Sequence, residues 1–244
     1  MTIAGLLPAG VILVESFGDT GDAAGIRLFP AEEALIAGVV EERRREFTTV
    51  RGCAREAMRR LGREPAPLVR QGRDGPAWPE GLVGSLTHCV GYRAAAVAPA
   101  GAFRAVGIDA EPDAPLPHGV DRRVLGAGER EAVAELGRAG APVAWDRLVF
   151  CVKEAVYKAW HPLTGLPLGF LDAEVSLSAD GTFTARVPGG PVPGGPPFPE
   201  LLRGAWAAGR GMLRVGLAVA APVPDGGTGP GSGAAVQAEV RAAG

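Results

Sequence analysis

The stretch from residue 143 to 160 constrains this chain more than any other. Leu148, Val152, Ala155 and Ala159 recur there at three- and four-residue spacing, which lines them up on one stripe of an α-helix. An apolar stripe of that kind must be covered by a neighbouring layer. Residues 106–111 alternate with the period of a strand, and 172–177, 182–187, 204–208 and 213–221 read as further strands separated by turn residues. The second half is therefore expected to be a long helix on an antiparallel sheet. The first half has similar ingredients. A β-branched strand is expected over 10–17, helices over 30–46 and about 50–61, a proline- and glycine-rich irregular stretch over 62–81, and a buried strand over 92–98.

Composition narrows the function classes. With 47% hydrophobic residues in a chain of 244, a substantial core can form, and a net charge of −2 gives no global basic field for nucleic acid. Cys53, Cys89 and Cys151 form neither a C-x-x-C pair nor a dense framework, which points to free thiols and a cytoplasmic location. The N-terminal residues 1–17 lack a basic leader, Pro8 and Gly10 interrupt them, and no run is long enough to span a bilayer. Residues 222–244 are rich in Gly, Ala and Pro with almost no large apolar side chains, so a disordered tail is expected there.

Of the 25 basic residues only Lys153 and Lys158 are lysines. Where arginine has replaced every other cation, two lysines within six residues point to a compact ammonium needed for chemistry.

Three clusters carry candidate chemistry. Asp109 and Glu111 lie two apart on one strand face, with Val106 and Ile108 on the other, and Gly107 leaves room for a close neighbour. Paired carboxylate oxygens of this sort suit a hard cation such as magnesium. On the long helix, Glu154 and Lys158 stand one turn apart, with Lys153 about 100° round from Glu154. The third cluster, Gly84-Ser85-Leu86-Thr87-His88-Cys89, reads as a hydroxyl-rich turn able to offer amides, hydroxyls and an imidazole to a phosphate. Together they describe a divalent-metal site, Asp109, Glu111 and Glu154, acting on a phosphate-linked group.

In order along the chain, Gly84-Ser-Leu-Thr-His88, Val106-Gly-Ile-Asp109-Ala-Glu111 and Phe150-Cys-Val-Lys153-Glu154-Ala-Val-Tyr-Lys158-Ala-Trp160 resemble the Sfp-type 4′-phosphopantetheinyl transferases. The similarity runs from about residue 43 to 170 and is nearest to the actinobacterial branch that serves siderophore, polyketide and peptide synthases. The resemblance implies an α/β (α+β) fold of two similar, pseudo-twofold-related subdomains, over 1–104 and 105–221, each a small mostly antiparallel sheet packed with helices. It also implies a monomeric enzyme, a holo-[acyl-carrier-protein] synthase. Such an enzyme moves the 4′-phosphopantetheine arm of coenzyme A onto a serine of an apo acyl or peptidyl carrier protein, releasing adenosine 3′,5′-bisphosphate. Matched residue by residue, magnesium, or manganese in its place, falls to Asp109, Glu111 and Glu154, and catalytic parts fall to Glu154, Lys158 and His88. Coenzyme A contacts fall to Arg43, Arg51, Arg70, Ser85, Thr87, His88, Asp109, Lys153, Glu154, Tyr157, Lys158 and Leu168, with Trp160 beside the pantetheine channel. Pro167 stands where an aromatic residue is expected, which leaves tolerance for acylated coenzyme A donors open. The same carboxylates, lysines and histidine also suit a magnesium-dependent phosphohydrolase or nucleotidyl transferase, and a non-catalytic coenzyme A-binding protein could keep the fold.

Overall fold

The computed structural model describes residues 5–19, 25–69, 75–140 and 142–222. Its first sheet has three antiparallel strands in the order β1 (Ile12–Phe17), β3 (Tyr92–Pro99), β2 (Leu82–Cys89). The second has five, in the order β4 (Phe103–Pro112), β10 (Met212–Ala220), β9 (Leu201–Gly209), β6 (Thr182–Arg186), β5 (Glu174–Leu177). A small hairpin of β7 (Gly190–Val192) and β8 (Gly195–Phe198) projects between β6 and β9. The helices are α1 (Pro30–Leu35), α2 (Glu41–Arg60), α3 (Asp121–Val124), α4 (Ala127–Arg138) and α5 (Trp145–Thr164). This is a mixed α/β fold of antiparallel sheets packed against helices. Each sheet carries one long helix of 20 residues, α2 on the first and α5 on the second.

Side-chain alternation along β3 distributes the core. Ala94, Ala96 and Ala98 face Val106, Ile108 and Ala110 of β4, and Ala95 and Val97 face Cys53, Ala54, Ala57 and Met58 of α2. The small residues on β3 let sheet and helix approach closely on both faces. The largest cluster surrounds α5, whose Leu148, Val152, Ala155 and Ala159 are all fully buried against the second sheet. Each fully buried large side chain there stabilises the fold by roughly 1.5–3 kcal/mol.

Several local expectations are corrected. The helix expected over 30–46 breaks after Leu35 and resumes at Glu41, because Gly38 adopts φ 78°, which turns the chain. From Glu41 it runs unbroken to Arg60 across the gap expected near residue 47. The 84–89 stretch is strand, not turn: β2 pairs with β3 from Leu82↔Pro99 to Cys89↔Tyr92. Tertiary pairing overrides the local preference of its small residues. The expected tail lies outside the described residues but for its first.

Candidate active site

β4 is the edge strand of the second sheet, and α5 lies directly on it. Gly107 makes this possible, since a Cβ at that position would stand 2.0 Å from the Ala155 carbonyl oxygen. The close approach brings Lys158 to Asp109. The ammonium donates to Asp109 Oδ1 at 2.7 Å and to the Ile108 carbonyl at 3.2 Å. The Thr87 hydroxyl donates to the same Oδ1 at 2.9 Å. Asp109 is buried, and its other oxygen, Oδ2, is buried with no hydrogen-bond partner. A buried acceptor left open costs free energy, and beside Lys158 the buried Cys151 thiol of α5 also acts on this carboxylate.

Glu111 and Glu154 share the electrostatic field of Asp109. Burial raises the pKa of both, and the Asp109 charge raises it further. Lys158 pulls the other way for both, and Arg147, which donates to Glu111 Oε2 at 3.0 Å, does so for Glu111. Among the described residues no three His, Cys, Asp or Glu side chains stand together as a ready metal-ligating group. Asp109 and Glu111 are instead held by Lys158 and Arg147. The donor set still suits a hard divalent cation: oxygen ligands, one of them open and buried, in a region whose carboxylates repel one another.

Beside Lys158 opens a cleft of about 840 Å³ between α2, β2 and α5. Arg43, Arg51, Ser85, His88, Tyr157 and Lys158 line it, with Leu35, Val39, Phe47 and Trp78 as apolar wall. Arg43 is half-exposed; it pairs with Glu46 at 3.0 Å and donates to His88 Nε2 at 2.7 Å. Burial first, and then the Arg43 charge, lower the His88 pKa, so the imidazole is a neutral acceptor towards Arg43. Arg51 borders the cleft but is buried, stacked 3.8 Å from the Phe47 ring centroid and donating to the Leu68 carbonyl at 3.3 Å. Tyr157 is partly exposed and tilts against His161.

Other expected contacts lie elsewhere. Lys153 does not reach the cleft. The residue is 3% exposed, and its ammonium donates to Glu129 Oε2 at 2.7 Å and to the carbonyls of Val124 and Phe170 at 2.8 Å each, which uses all three of its hydrogens. Leu168 packs on the core around α5, not in the cleft, and Trp160 is buried with its indole donating to the Leu166 carbonyl. The Ser85 and Thr87 hydroxyls accept from the amides of Ile108 and Ala110 at 3.1 and 3.2 Å, and Thr87 does not border the cleft. Arg70 lies outside the described residues.

Two further charged residues, Arg147 and Glu46, take part in this region. Arg147 precedes Glu154 by seven residues and Lys158 by eleven, so all three share one stripe of α5, and that periodicity could have found it. Glu46 receives Arg43 and also Arg93 at 3.0 Å. Its pairing with Arg93, from β3, depends on tertiary structure and left no sequence signal.

Comparison with known proteins converges on one group. The model of the 4′-phosphopantetheinyl transferase N-terminal domain matches residues 31–98, and that of the 4′-phosphopantetheinyl transferase superfamily matches residues 105–206. Among curated relatives, 4′-phosphopantetheinyl transferase Svp of Streptomyces mobaraensis is 50% identical over 223 residues, 90% of each chain. 4′-Phosphopantetheinyl transferase PptT of Mycobacterium tuberculosis is 44% identical over 86% of this chain and 95% of its own. 4′-Phosphopantetheinyl transferase Npt of Nocardia iowensis is 44% identical over 88% and 98%.

Proposed function

The chain belongs to the 4′-phosphopantetheinyl transferase superfamily, and from that premise we propose how its residues carry out the transfer. It is an enzyme that moves the phosphopantetheine arm of coenzyme A onto carrier proteins. The observation that carries the site assignment is the buried Oδ2 of Asp109 without a hydrogen-bond partner, on a carboxylate held by Lys158, which lines the cleft, and within the electrostatic reach of Glu154 and Glu111. Coenzyme A occupies the cleft with its pyrophosphate towards Lys158 and His88 and its nucleotide phosphate towards Arg43, where guanidinium donors suit phosphate oxygens. Magnesium, or manganese in its place, held by Asp109, Glu111 and Glu154, would offset the pyrophosphate charge that repels an incoming oxygen.

The carrier serine Oγ attacks the phosphorus that bears the pantetheine arm. A new P–O bond forms, the bridging P–O bond breaks, and its electron pair leaves with adenosine 3′,5′-bisphosphate. Glu154 accepts the serine proton, directly or through a bound water. Its raised pKa suits a base better than an ordinary surface carboxylate would. Lys158, released from Asp109, donates to the phosphate oxygens on which charge develops. Carriers of fatty-acid, polyketide, peptide and siderophore synthases are the substrates to try. No helix of the described residues is long and apolar enough to cross a membrane, and the three cysteines are free thiols.

The direct test incubates the protein with coenzyme A, magnesium and a panel of apo carriers and reads carrier mass. The expected result is a gain of one phosphopantetheinyl group. No gain on any carrier, with hydrolysis or transfer on simple nucleotides instead, overturns the reading.

The electrostatics also predict a pH signature for the metal-free protein. Glu154 has a folded pKa above its ordinary value of 4.5, so between the two values the folded state binds more protons than the unfolded one. Its charge is therefore destabilising above the raised value, and the penalty fades as pH falls towards 4.5. In EDTA, Glu154→Gln is expected to be more stable than wild type at neutral pH, with the advantage shrinking to nothing on acidification. Urea unfolding across that range checks it, and an advantage that grows on acidification contradicts the sign.

A further inference from the structure

As the edge strand of its sheet, β4 has one side of its backbone without a strand partner. β2, which belongs to the other sheet, covers that side with hydroxyls where a strand would offer carbonyls. Ser85 Oγ accepts from the Ile108 amide at 3.1 Å and Thr87 Oγ1 from the Ala110 amide at 3.2 Å, a pair of positions two apart on each strand. A hydroxyl has one hydrogen to give, and that of Thr87 goes to Asp109 Oδ1 at 2.9 Å. Lys158 donates to the same oxygen at 2.7 Å. Two donors thus hold Oδ1, and Oδ2 alone stays buried without a partner. Thr87 is 3% exposed and does not line the cleft, and its hydroxyl is engaged on both sides, by the Ala110 amide and by Asp109.

We propose that Thr87 is a positioning residue for the metal and not a coenzyme A contact: by fixing Oδ1 of Asp109 across the seam between the two sheets, it presents Oδ2 to the divalent cation. The inference rests on Asp109 being a metal ligand. Threonine suits the task because its β-branched side chain is stiff about χ1, so the hydroxyl keeps its direction. The orientation of the metal ligand is then set by the docking of the two sheets, since its clamp and its backbone come from different ones.

The test uses the full chain and Mn²⁺ as probe, with calorimetry for metal affinity and for coenzyme A affinity in EDTA. Thr87→Val is expected to weaken Mn²⁺ binding about 10-fold or more, as loss of a hydrogen bond to a ligand typically does. Its metal-free coenzyme A affinity should stay within about twofold of wild type, a change under half a kcal/mol. Thr87→Ser, which keeps the hydroxyl, should restore most of the Mn²⁺ affinity; Thr87→Ala replaces the valine variant if valine does not pack. Ser85→Ala cuts the neighbouring seam bond without touching Asp109 and should leave Mn²⁺ affinity near that of wild type. Weakened coenzyme A binding in EDTA with unchanged Mn²⁺ affinity overturns the proposal and makes Thr87 a ligand contact. An equal Mn²⁺ loss in Ser85→Ala also overturns it, as general loosening of the seam. If Asp109→Ala binds Mn²⁺ as tightly as wild type, the metal reading itself fails, and the positioning role falls with it.

Discussion

Glu154→Gln is expected to lower the turnover of carrier modification by about 10²–10⁴-fold, the range that removal of a general base commonly produces, while the protein stays folded. Glu154 is half-buried at the cleft side of α5, and its charge is held there at a cost, since burial and Asp109 both disfavour it. A costly charge that the core does not need is the mark of a group retained for chemistry. Kinetics alone cannot separate a base from a ligand, so Mn²⁺ binding must accompany them. Lost turnover with Mn²⁺ affinity kept within a few-fold assigns proton transfer to Glu154, and parallel loss of both assigns it to the metal. A variant that modifies carriers as well as wild type would leave Glu154 a half-buried acid of α5 with no part in the chemistry.

How far the site could be read in advance follows the range of the interactions involved. Helical periodicity around Leu148, Val152, Ala155 and Ala159 is a local property, and α5 buries that stripe. Alternation in β4 likewise separates Val106 and Ile108, which enter the core, from the face bearing Asp109. Gly107 carried a signal of close approach, and the helix backbone at Ala155 is what approaches. The hydroxyl cluster was visible, but its use was not. Ser85 and Thr87 look alike in sequence to hydroxyls that face a phosphate, and only the edge position of β4 turns them towards its amides. Arg51 was expected only as a coenzyme A contact, and its burial, its stacking on Phe47 and its bond to the Leu68 carbonyl depend on how the 62–69 segment folds back. The β7–β8 hairpin left little trace because its strands are short and rich in glycine and proline.

The largest stability loss is expected at Lys153, the residue that the scarcity of lysine singled out and that the structure removes from the cleft. Lys153→Met keeps the length of the side chain but strands the Glu129 carboxylate and two carbonyls in the interior. Breaking a buried ion pair by removing one partner typically costs roughly 3–5 kcal/mol, to be read as a fall in the urea midpoint. Replacing Glu129 as well offers little relief, because that carboxylate also accepts from the amides of Gly126 and Val175, each at 2.7 Å. The pair therefore ties α4, β5 and the Phe170–Asp172 turn to α5 through one point. Lys153→Arg is the sharper test. An ammonium directs its three hydrogens from a single nitrogen to three oxygens around it, and a planar guanidinium cannot place its donors in that volume. Arginine should therefore fail to restore the midpoint despite conserving the charge. On this account an arginine-rich chain keeps lysine here for the shape of a buried cage, and Lys158 alone keeps it beside the carboxylates. Full stability in Lys153→Arg would mean that the cage relaxes, and that lysine at this position needs another explanation.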